Sequence, residues 1–184
     1  MNLFRDITEN KFVLVLLSEE QYDAKLAELV KLVEQEHAKI CYVCLNKPYK
    51  ETVEFLAENG LDVERFVFVD VLTSHYKKQS STEQCIYVED PSKIDGLQVA
   101  INQAVSERNC TIIVFDTLSS LLMYEQTHDI VRLTHHLSTE QKHVDINKVY
   151  IVLKEKGNLA SYSETLVKDI GMFTDKTIEF DKST

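Results

Sequence analysis

The chain has 184 residues, of which 44% are hydrophobic and 27% are charged, and these proportions suit one soluble globular domain with a single core. A formal net charge of -10 excludes a protein that binds nucleic acid mainly by neutralising phosphates. The longest apolar run near the N-terminus, residues 12–17, is too short to cross a bilayer, and Asp6 and Glu9 interrupt any signal-peptide pattern. We therefore expect a cytoplasmic protein with neither a membrane nor a nucleic-acid partner.

Strand and helix patterns alternate along the chain. Short apolar runs that are typical of buried strands occupy residues 12–17, 39–45, 66–71, 111–116, 148–153 and 176–180. Apolar residues recur at helical spacing in residues 22–33, 48–57, 94–105, 125–139 and 161–170, and the third of these helices is expected to begin at residues 90–92. Residues 72–84 form a polar loop, and residues 86–88 are either a short edge strand or extended chain. This alternation predicts one α/β domain over residues 1–184, with three layers and a mainly parallel central sheet.

The segment of residues 111–122 joins a buried strand to an acidic residue and a new apolar run. The strand ends at Asp116, and Thr117 begins what we predict to be a loop followed by a helix. Ligands bind outside the carboxyl ends of the strands in open α/β sheets, so we expect Asp116 at the functional edge. In the absence of a metal-bound phosphate, its carboxylate is expected to cap a helix or to order a loop.

This segment resembles the Walker B motif of RecA-like ATPases, in particular the KaiC-like branch, in which the aspartate helps to hold the magnesium ion of ATP. Residues 39–45 are similar to the second strand of that family, residues 55–63 to its helix, glycine and aspartate before the third strand, and residues 175–180 to its closing strand. The resemblance implies a RecA/KaiC-like fold and places Asp116 and Thr117 at Walker-B-like positions.

The phosphate-binding part of that family's ATP site is missing from the sequence. A P-loop needs glycines, so that backbone N–H groups can surround the phosphates, and a lysine that neutralises them. Residues 18–25 contain no glycine and three acids, and the positions of interest are Ser18, Glu19, Glu20 and Lys25. The family's acidic general base after the second strand is also absent, because residues 45–47 carry no carboxylate. We therefore predict a degenerate P-loop, no catalytic residues and no cofactor.

These expectations together describe a RecA/KaiC-like protein that has lost its ATP site. Such a domain would be a regulatory or scaffolding protein in signalling or transcriptional control, acting through protein contacts. The partner would be a protein such as an intact ATPase or a signalling kinase, and a homo-oligomer is compatible with the sequence. An enzyme or sensor with an unrecognised small-molecule site at the carboxyl ends of the strands remains an alternative.

A second alternative is a phosphate-accepting receiver domain of the response-regulator type. Such domains place acids after the first strand, a phosphorylated aspartate after the third, a hydroxyl after the fourth and a lysine after the fifth. The matching residues are Glu19, Glu20, Asp70, Thr117 and Lys154. The acids would bind magnesium and the aspartate would attack a phosphoryl group.

The cysteines do not predict a metal site. Cys41 and Cys44 have C-x-x-C spacing but lie in an apolar strand, where residues three apart point to opposite faces of the sheet. We expect buried structural thiols and no bound metal. Tyr22 and Tyr42 are likewise expected to be partly buried core residues.

The helix at residues 125–139 offers a candidate partner surface. Ile130, Leu133 and Leu137 recur at three- and four-residue spacing and should face the sheet. The opposite side then carries His128, Arg132, His135 and Thr139. An arginine with nearby histidines suits docking against an acidic patch.

Overall fold

The computed structural model describes residues 3–90, 94–139, 145–154 and 160–180. The strands of this part of the chain are β1 (Phe12–Leu17), β2 (Ile40–Cys44), β3 (Phe66–Asp70), β4 (Cys85–Tyr87), β5 (Ile112–Asp116), β6 (Asn147–Leu153) and β7 (Lys176–Glu179). The helices are α1 (Leu3–Thr8), α2 (Tyr22–Glu36), α3 (Tyr49–Glu58), α4 (Ile94–Arg108), α5 (Thr127–Thr139) and α6 (Ala160–Gly171).

The strands form one seven-stranded sheet in the order β4-β3-β2-β5-β6-β1-β7. Every strand pairing is parallel. Strands β2, β3 and β5 are buried over their whole length, as strands covered on both faces of a parallel sheet must be. The predicted single α/β domain is therefore confirmed, and the sheet is wholly rather than mainly parallel.

Two groups of helices cover the sheet and make three layers. On one face α4, α5 and α6 pack through residues such as Ile101, Leu133 and Leu166. On the other face α1, α2 and α3 pack through residues such as Ile7, Leu29 and Leu56. Successive strand residues alternate between the two faces, so that the strands contribute to a separate core on each face of the sheet.

Several element boundaries differ from the sequence-based expectation. Helix α1 was not predicted, because only Leu3 and Ile7 of its six residues are buried and two positions do not define a period. The segment after Asp116 was expected to lead into an α-helix, but Leu118–Met123 is a 3-10 helix. Helix α5 begins at Thr127, two residues later than expected. The expected start of α4 falls partly on residues 91–93, which lie outside the described residues.

The two edges of the sheet differ. Residues 86–88 were predicted to be either an edge strand or extended chain, and the edge strand β4 is found at Cys85–Tyr87. The loop before β4 makes hydrogen bonds to the backbone groups of β4 that point away from the sheet. The hydroxyls of Thr82 and Ser81 accept the N–H groups of Cys85 and Tyr87 at 3.0 Å each. The carbonyl of Cys85 accepts the N–H of Thr82 at 2.8 Å. At the other edge, β7 pairs with β1 alone among the described residues.

No helix within the described ranges has both the length and the apolar content that a bilayer crossing requires.

Candidate functional site

Asp116 ends β5 at the carboxyl edge of the sheet, between β2 and β6. Its residue is 1% exposed, and its backbone carbonyl accepts the N–H groups of Leu45 and Asn46 at 2.8 and 2.9 Å. The peptide bond that joins it to Thr117 is cis. The main-chain carbonyl of Asp116 thus holds the loop that follows β2, whereas the loop-ordering role was predicted for its carboxylate.

The carboxylate of Asp116 is enclosed by two tyrosines. Its Oδ1 accepts a short hydrogen bond from the hydroxyl of Tyr22, the first residue of α2, and its Oδ2 accepts the hydroxyl of Tyr42 on β2 at 2.6 Å. The expectation that this carboxylate caps a helix is wrong, because its acceptor sites are taken by side chains. The expectation that Tyr22 and Tyr42 are core residues is confirmed, but both are also hydrogen-bond donors.

Burial changes the protonation of this cluster. Desolvation raises the pKa of Asp116 to about 6, against the lowering effect of the two tyrosine hydroxyls and of the nearby Lys47 ammonium. Burial and the Asp116 charge both raise the pKa of the Tyr22 and Tyr42 hydroxyls well above the usual range. The tyrosines therefore remain donors at any physiological pH, and Asp116 is the group that titrates.

The segment after β1, where a P-loop would lie, forms a compact acidic turn. Ser18 is followed by a 3-10 turn at Glu19–Gln21 and then at once by α2, and the N–H of Gln21 donates to the carbonyl of Ser18 at 3.1 Å. Glu19 and Glu20 are exposed. Lys25 is directed elsewhere, because its ammonium pairs with Glu28 at 2.7 Å and lies 5.1 Å from the ring centre of Phe180. These residues bring negative rather than positive charge to the edge.

A lysine that the sequence did not single out stands beside the cluster. The ammonium of Lys47 pairs with Asp23 at 2.7 Å and lies 5.2 Å from the ring centre of Tyr22 and 4.5 Å from that of Phe55. The ring faces and the carboxylate hold the cation over the first turn of α2. This contact could not be read from the sequence, since it depends on how α2 and α3 sit on the sheet.

An open cleft of about 420 Å³ lies along the carboxyl ends of the strands. Five strand ends contribute to it, and the hydroxyl group of Ser120 faces the same space as the aromatic rings of the loop after β3. Thr117 itself is buried, with its hydroxyl 3.2 Å from that of Ser119 and 3.0 Å from that of Ser120. The lining residues are Glu19, Leu45, Asn46, Pro48, Leu72, His75, Tyr76, Ser119, Ser120, Met123, Tyr124 and Leu153.

The receiver-type constellation is not assembled. In the sheet, three strands separate β1 from β3, so the acids after β1 and Asp70 stand about 19 Å apart at the usual strand spacing. Both oxygens of Asp70 are also engaged, by the N–H groups of Tyr49, Leu72 and Thr73 and by the Thr73 hydroxyl. Lys154 pairs with Glu179. The phosphoacceptor hypothesis is therefore wrong, because it assumed a strand order that the fold does not have.

The candidate partner surface on α5 is arranged as the spacing predicted. Ile130, Leu133 and Leu137 are buried against the sheet. His128, Arg132, His135 and Thr139 are exposed on the other side. Arg132 pairs with Asp129 at 3.2 Å, and the His135 ring packs edge-on against Phe173 with 5.5 Å between ring centres. His128 lies further along, in a separate cleft with Glu125 and Tyr162.

The cysteines are buried and free. Cys41 and Cys44 contribute to the cores on opposite faces of the sheet, as predicted. Burial raises the pKa of both thiols, which makes them poor nucleophiles and poor metal ligands. Within the described residues, no three histidine, cysteine or acidic side chains come together in a way that could hold a metal ion.

No protein-family model matches the chain, and no curated protein matches it either. Solved structures do. One is an uncharacterised protein from Pyrococcus horikoshii in complex with an unknown peptide, with a TM-score of 0.67, 11% identity, and coverage of 95% of this chain and 79% of that chain. Another is a KaiC-like protein from the hyperthermophilic archaeon Pyrococcus horikoshii OT3, with a TM-score of 0.58, 13% identity, and coverage of 98% and 80%. The chain thus has a fold like that of KaiC-like proteins, as its sequence indicated.

Proposed function

We propose that this chain is a KaiC-like domain that has lost its ATP site and acts as a regulatory or scaffolding protein through protein contacts. One observation carries the proposal. The aspartate at the Walker-B-like position is enclosed by the hydroxyls of Tyr22 and Tyr42 rather than open to the cleft. Tyr22 begins the helix that follows β1 and the turn where a P-loop would lie, and its hydroxyl binds the aspartate.

The charges at the same edge support the loss of nucleotide binding. The binding of a nucleoside triphosphate in this fold needs backbone N–H groups and a cation at the turn after the first strand. Here that turn presents the exposed acids Glu19 and Glu20, while the ammonium of Lys25 pairs with Glu28. Like charges would repel the phosphates at short range.

A protein of this fold is found in complex with a peptide, which supports a role in protein contacts for this chain too. Our candidate partner surface is the outward side of α5, formed by His128, Arg132 and His135. The outward side of α5 carries an arginine, which pairs with Asp129, beside histidines, and these residue types suit an acidic patch on a partner. The partner is then a protein with an acidic patch, such as an intact ATPase or a signalling kinase.

Nucleotide binding is tested by thermal unfolding with and without Mg-ATP. A ligand that binds the native state must raise the melting temperature. Since we expect no nucleotide to bind, the melting temperature should stay constant up to millimolar nucleotide. An intact P-loop ATPase serves as the positive control. A rise in melting temperature that depends on nucleotide concentration would contradict the proposal.

The partner surface is tested by capture from native lysate with the wild-type chain and with Arg132→Glu combined with His135→Glu. Capture should weaken in the variant, because both substitutions place a carboxylate on the surface that would meet the partner's acidic patch. Lys31→Glu combined with Lys50→Glu is the control, because it makes a similar change of charge at exposed sites on the opposite face. If the α5 variant captured as much partner as the Lys31 and Lys50 control variant, the α5 surface would be excluded as the partner site.

A further inference from the structure

We propose that the cleft at the carboxyl ends of the strands binds a peptide segment that carries arginine or lysine among apolar residues. The site is separate from the α5 surface, so it goes beyond the proposed function and can fail without it. Three properties of the cleft support it: its exposed aromatic rim, the carboxylate on its lining and its size.

The rim is unusually apolar for an exposed surface. Tyr76 is 88% exposed, Met123 is 70% exposed and Tyr124 is 50% exposed. The His75 ring stacks on Tyr124 with 5.2 Å between ring centres and 23° between ring planes. These side chains come from two different loops, after β3 and after β5, and meet at the same cleft. Contiguous exposed apolar groups mark binding surfaces, and tyrosine and methionine are enriched there.

The charge at the cleft selects a cation. Glu19 is the only Asp, Glu, Lys or Arg among the described lining residues. Lys47 and Lys154, which adjoin lining residues along the chain, are each paired with an acid outside the lining. Lys77 and Lys78, which follow Tyr76, are not among the described lining residues. A carboxylate beside exposed aromatic faces favours an ammonium or guanidinium group, through ion pairing and cation–π contact. Among the described lining residues there is no lysine or arginine to oppose the charge of an anionic ligand.

The size of the cleft suits a short segment. A space of about 420 Å³ is within the range of small-ligand clefts and holds a few side chains. The amide of Asn46 and the hydroxyl of Ser120 lie at the lining and can bond to a peptide backbone. Arginine stems and leucine side chains would contact the aromatic rim, and the charged head would approach Glu19.

The test uses a degenerate octapeptide library without cysteine, incubated with the full chain, with the bound peptides sequenced by mass spectrometry. We expect arginine and lysine to be enriched at least threefold over the input and acidic residues to be depleted. Glu19→Gln should remove the enrichment of basic residues. Tyr76→Ala combined with Tyr124→Ala should reduce the amount of bound peptide about fivefold, in line with the loss of two exposed aromatic contacts.

Matched controls keep the outcome interpretable. Glu58→Gln removes an exposed carboxylate elsewhere, and Tyr162→Ala removes an exposed tyrosine outside this cleft, so both should bind like the wild type. Circular dichroism verifies that every variant is folded. The proposal is overturned if no peptide is retained, if basic residues are not enriched, or if the enrichment survives in Glu19→Gln.

Discussion

Asp70 and Asp116 occupy equivalent places in the sheet and are held in different ways. Each ends a fully buried strand that neighbours β2, and each is in register with Cys44. The oxygens of Asp70 accept three backbone N–H groups and the Thr73 hydroxyl. Those of Asp116 accept two tyrosine hydroxyls. The same local sequence pattern thus gives one aspartate that orders main chain and another that is part of a side-chain cluster.

The difference lies in what each aspartate controls. Asp70 fixes the first turn of α3 and the loop after β3. Its carboxylate accepts hydrogen bonds from backbone N–H groups that would otherwise have no acceptor. Asp116 joins β2, β5 and α2 through Tyr42 and Tyr22, and burial leaves its charge poorly compensated. Removing the charge of Asp70 should therefore lower the stability of the fold, whereas removing the charge of Asp116 should raise it.

The largest expected effect is that of Asp70→Ala. Three backbone donors and one hydroxyl lose their acceptor, so we expect a loss of about 3 to 5 kcal/mol in the free energy of unfolding. Urea denaturation measures it. Asp62→Ala is the control, because the carboxylate of Asp62 accepts only the Glu64 N–H, at 3.2 Å and at an exposed site. If Asp70→Ala cost no more than that control, the ordering role would be wrong.

The next effect is a pH dependence specific to Asp116. Its pKa in the folded chain is about 6, above the value of about 3.9 in an unfolded chain, so the folded state binds the extra proton between these values. The destabilising contribution of the charge is then absent below about pH 4 and complete above about pH 6. We expect Asp116→Asn to gain about 3 kcal/mol of stability relative to the wild type between pH 4 and pH 7. If the difference in stability between Asp116→Asn and the wild type stayed constant over this range, the burial of a charged Asp116 in the tyrosine cluster would be contradicted.

A smaller effect should follow from the tyrosines. Tyr42→Phe leaves a buried carboxylate oxygen without its donor, so we expect a loss of about 2 kcal/mol at pH 7 and a further rise in the pKa of Asp116. Tyr49→Phe is the matched control, because the Tyr49 hydroxyl donates to the neutral Gln84 side chain at 3.1 Å. Chemical denaturation at pH 7 and pH 4 compares them, and the excess loss of Tyr42→Phe should shrink at pH 4. An excess of the same size at both pH values would argue against a charged acceptor.

The smallest effect concerns Lys47→Met. The substitution keeps an apolar side chain against the Tyr22 and Phe55 rings and removes a charge whose partner Asp23 is largely exposed. We expect the free energy of unfolding to change by less than about 0.5 kcal/mol. The pKa of Asp116 should nevertheless rise, because Lys47 helps to lower it. Carbon-13 NMR titration of the aspartate carboxyl groups measures this, with Lys50→Met as the control, and an unchanged Asp116 titration would exclude the coupling.

The sequence predicted the strands, the parallel sheet and the placement of Asp116, because each of these follows from local apolar runs and their spacing. It did not predict the donors to Asp116, since Tyr22 lies 94 residues away along the chain and Tyr42 lies 74 residues away. Both tyrosines occur at apolar positions of their elements, where a core role accounts for them fully. Only the packing of α2 on the sheet directs their hydroxyls to one carboxylate.

The errors made from sequence have a common origin in long-range contacts. The receiver hypothesis placed polar residues at strand ends correctly but could not know the order of the strands, which separates Glu19 from Asp70. The 3-10 helix after Asp116 is similar: Ser119 there accepts the N–H of Leu153 at 3.0 Å, from the end of β6. Local propensity carries no information about such a contact.

The loop before β4 has a consequence for assembly. Its residues Ser81 and Thr82 occupy outward backbone groups of β4, so that edge offers little to an incoming strand. Of the two edges of the described sheet, the β7 edge is then the one left for strand addition. Copies of the chain that joined sheet to sheet through β7 would meet as a closed pair, and the blocked edge on either side would prevent growth into a filament.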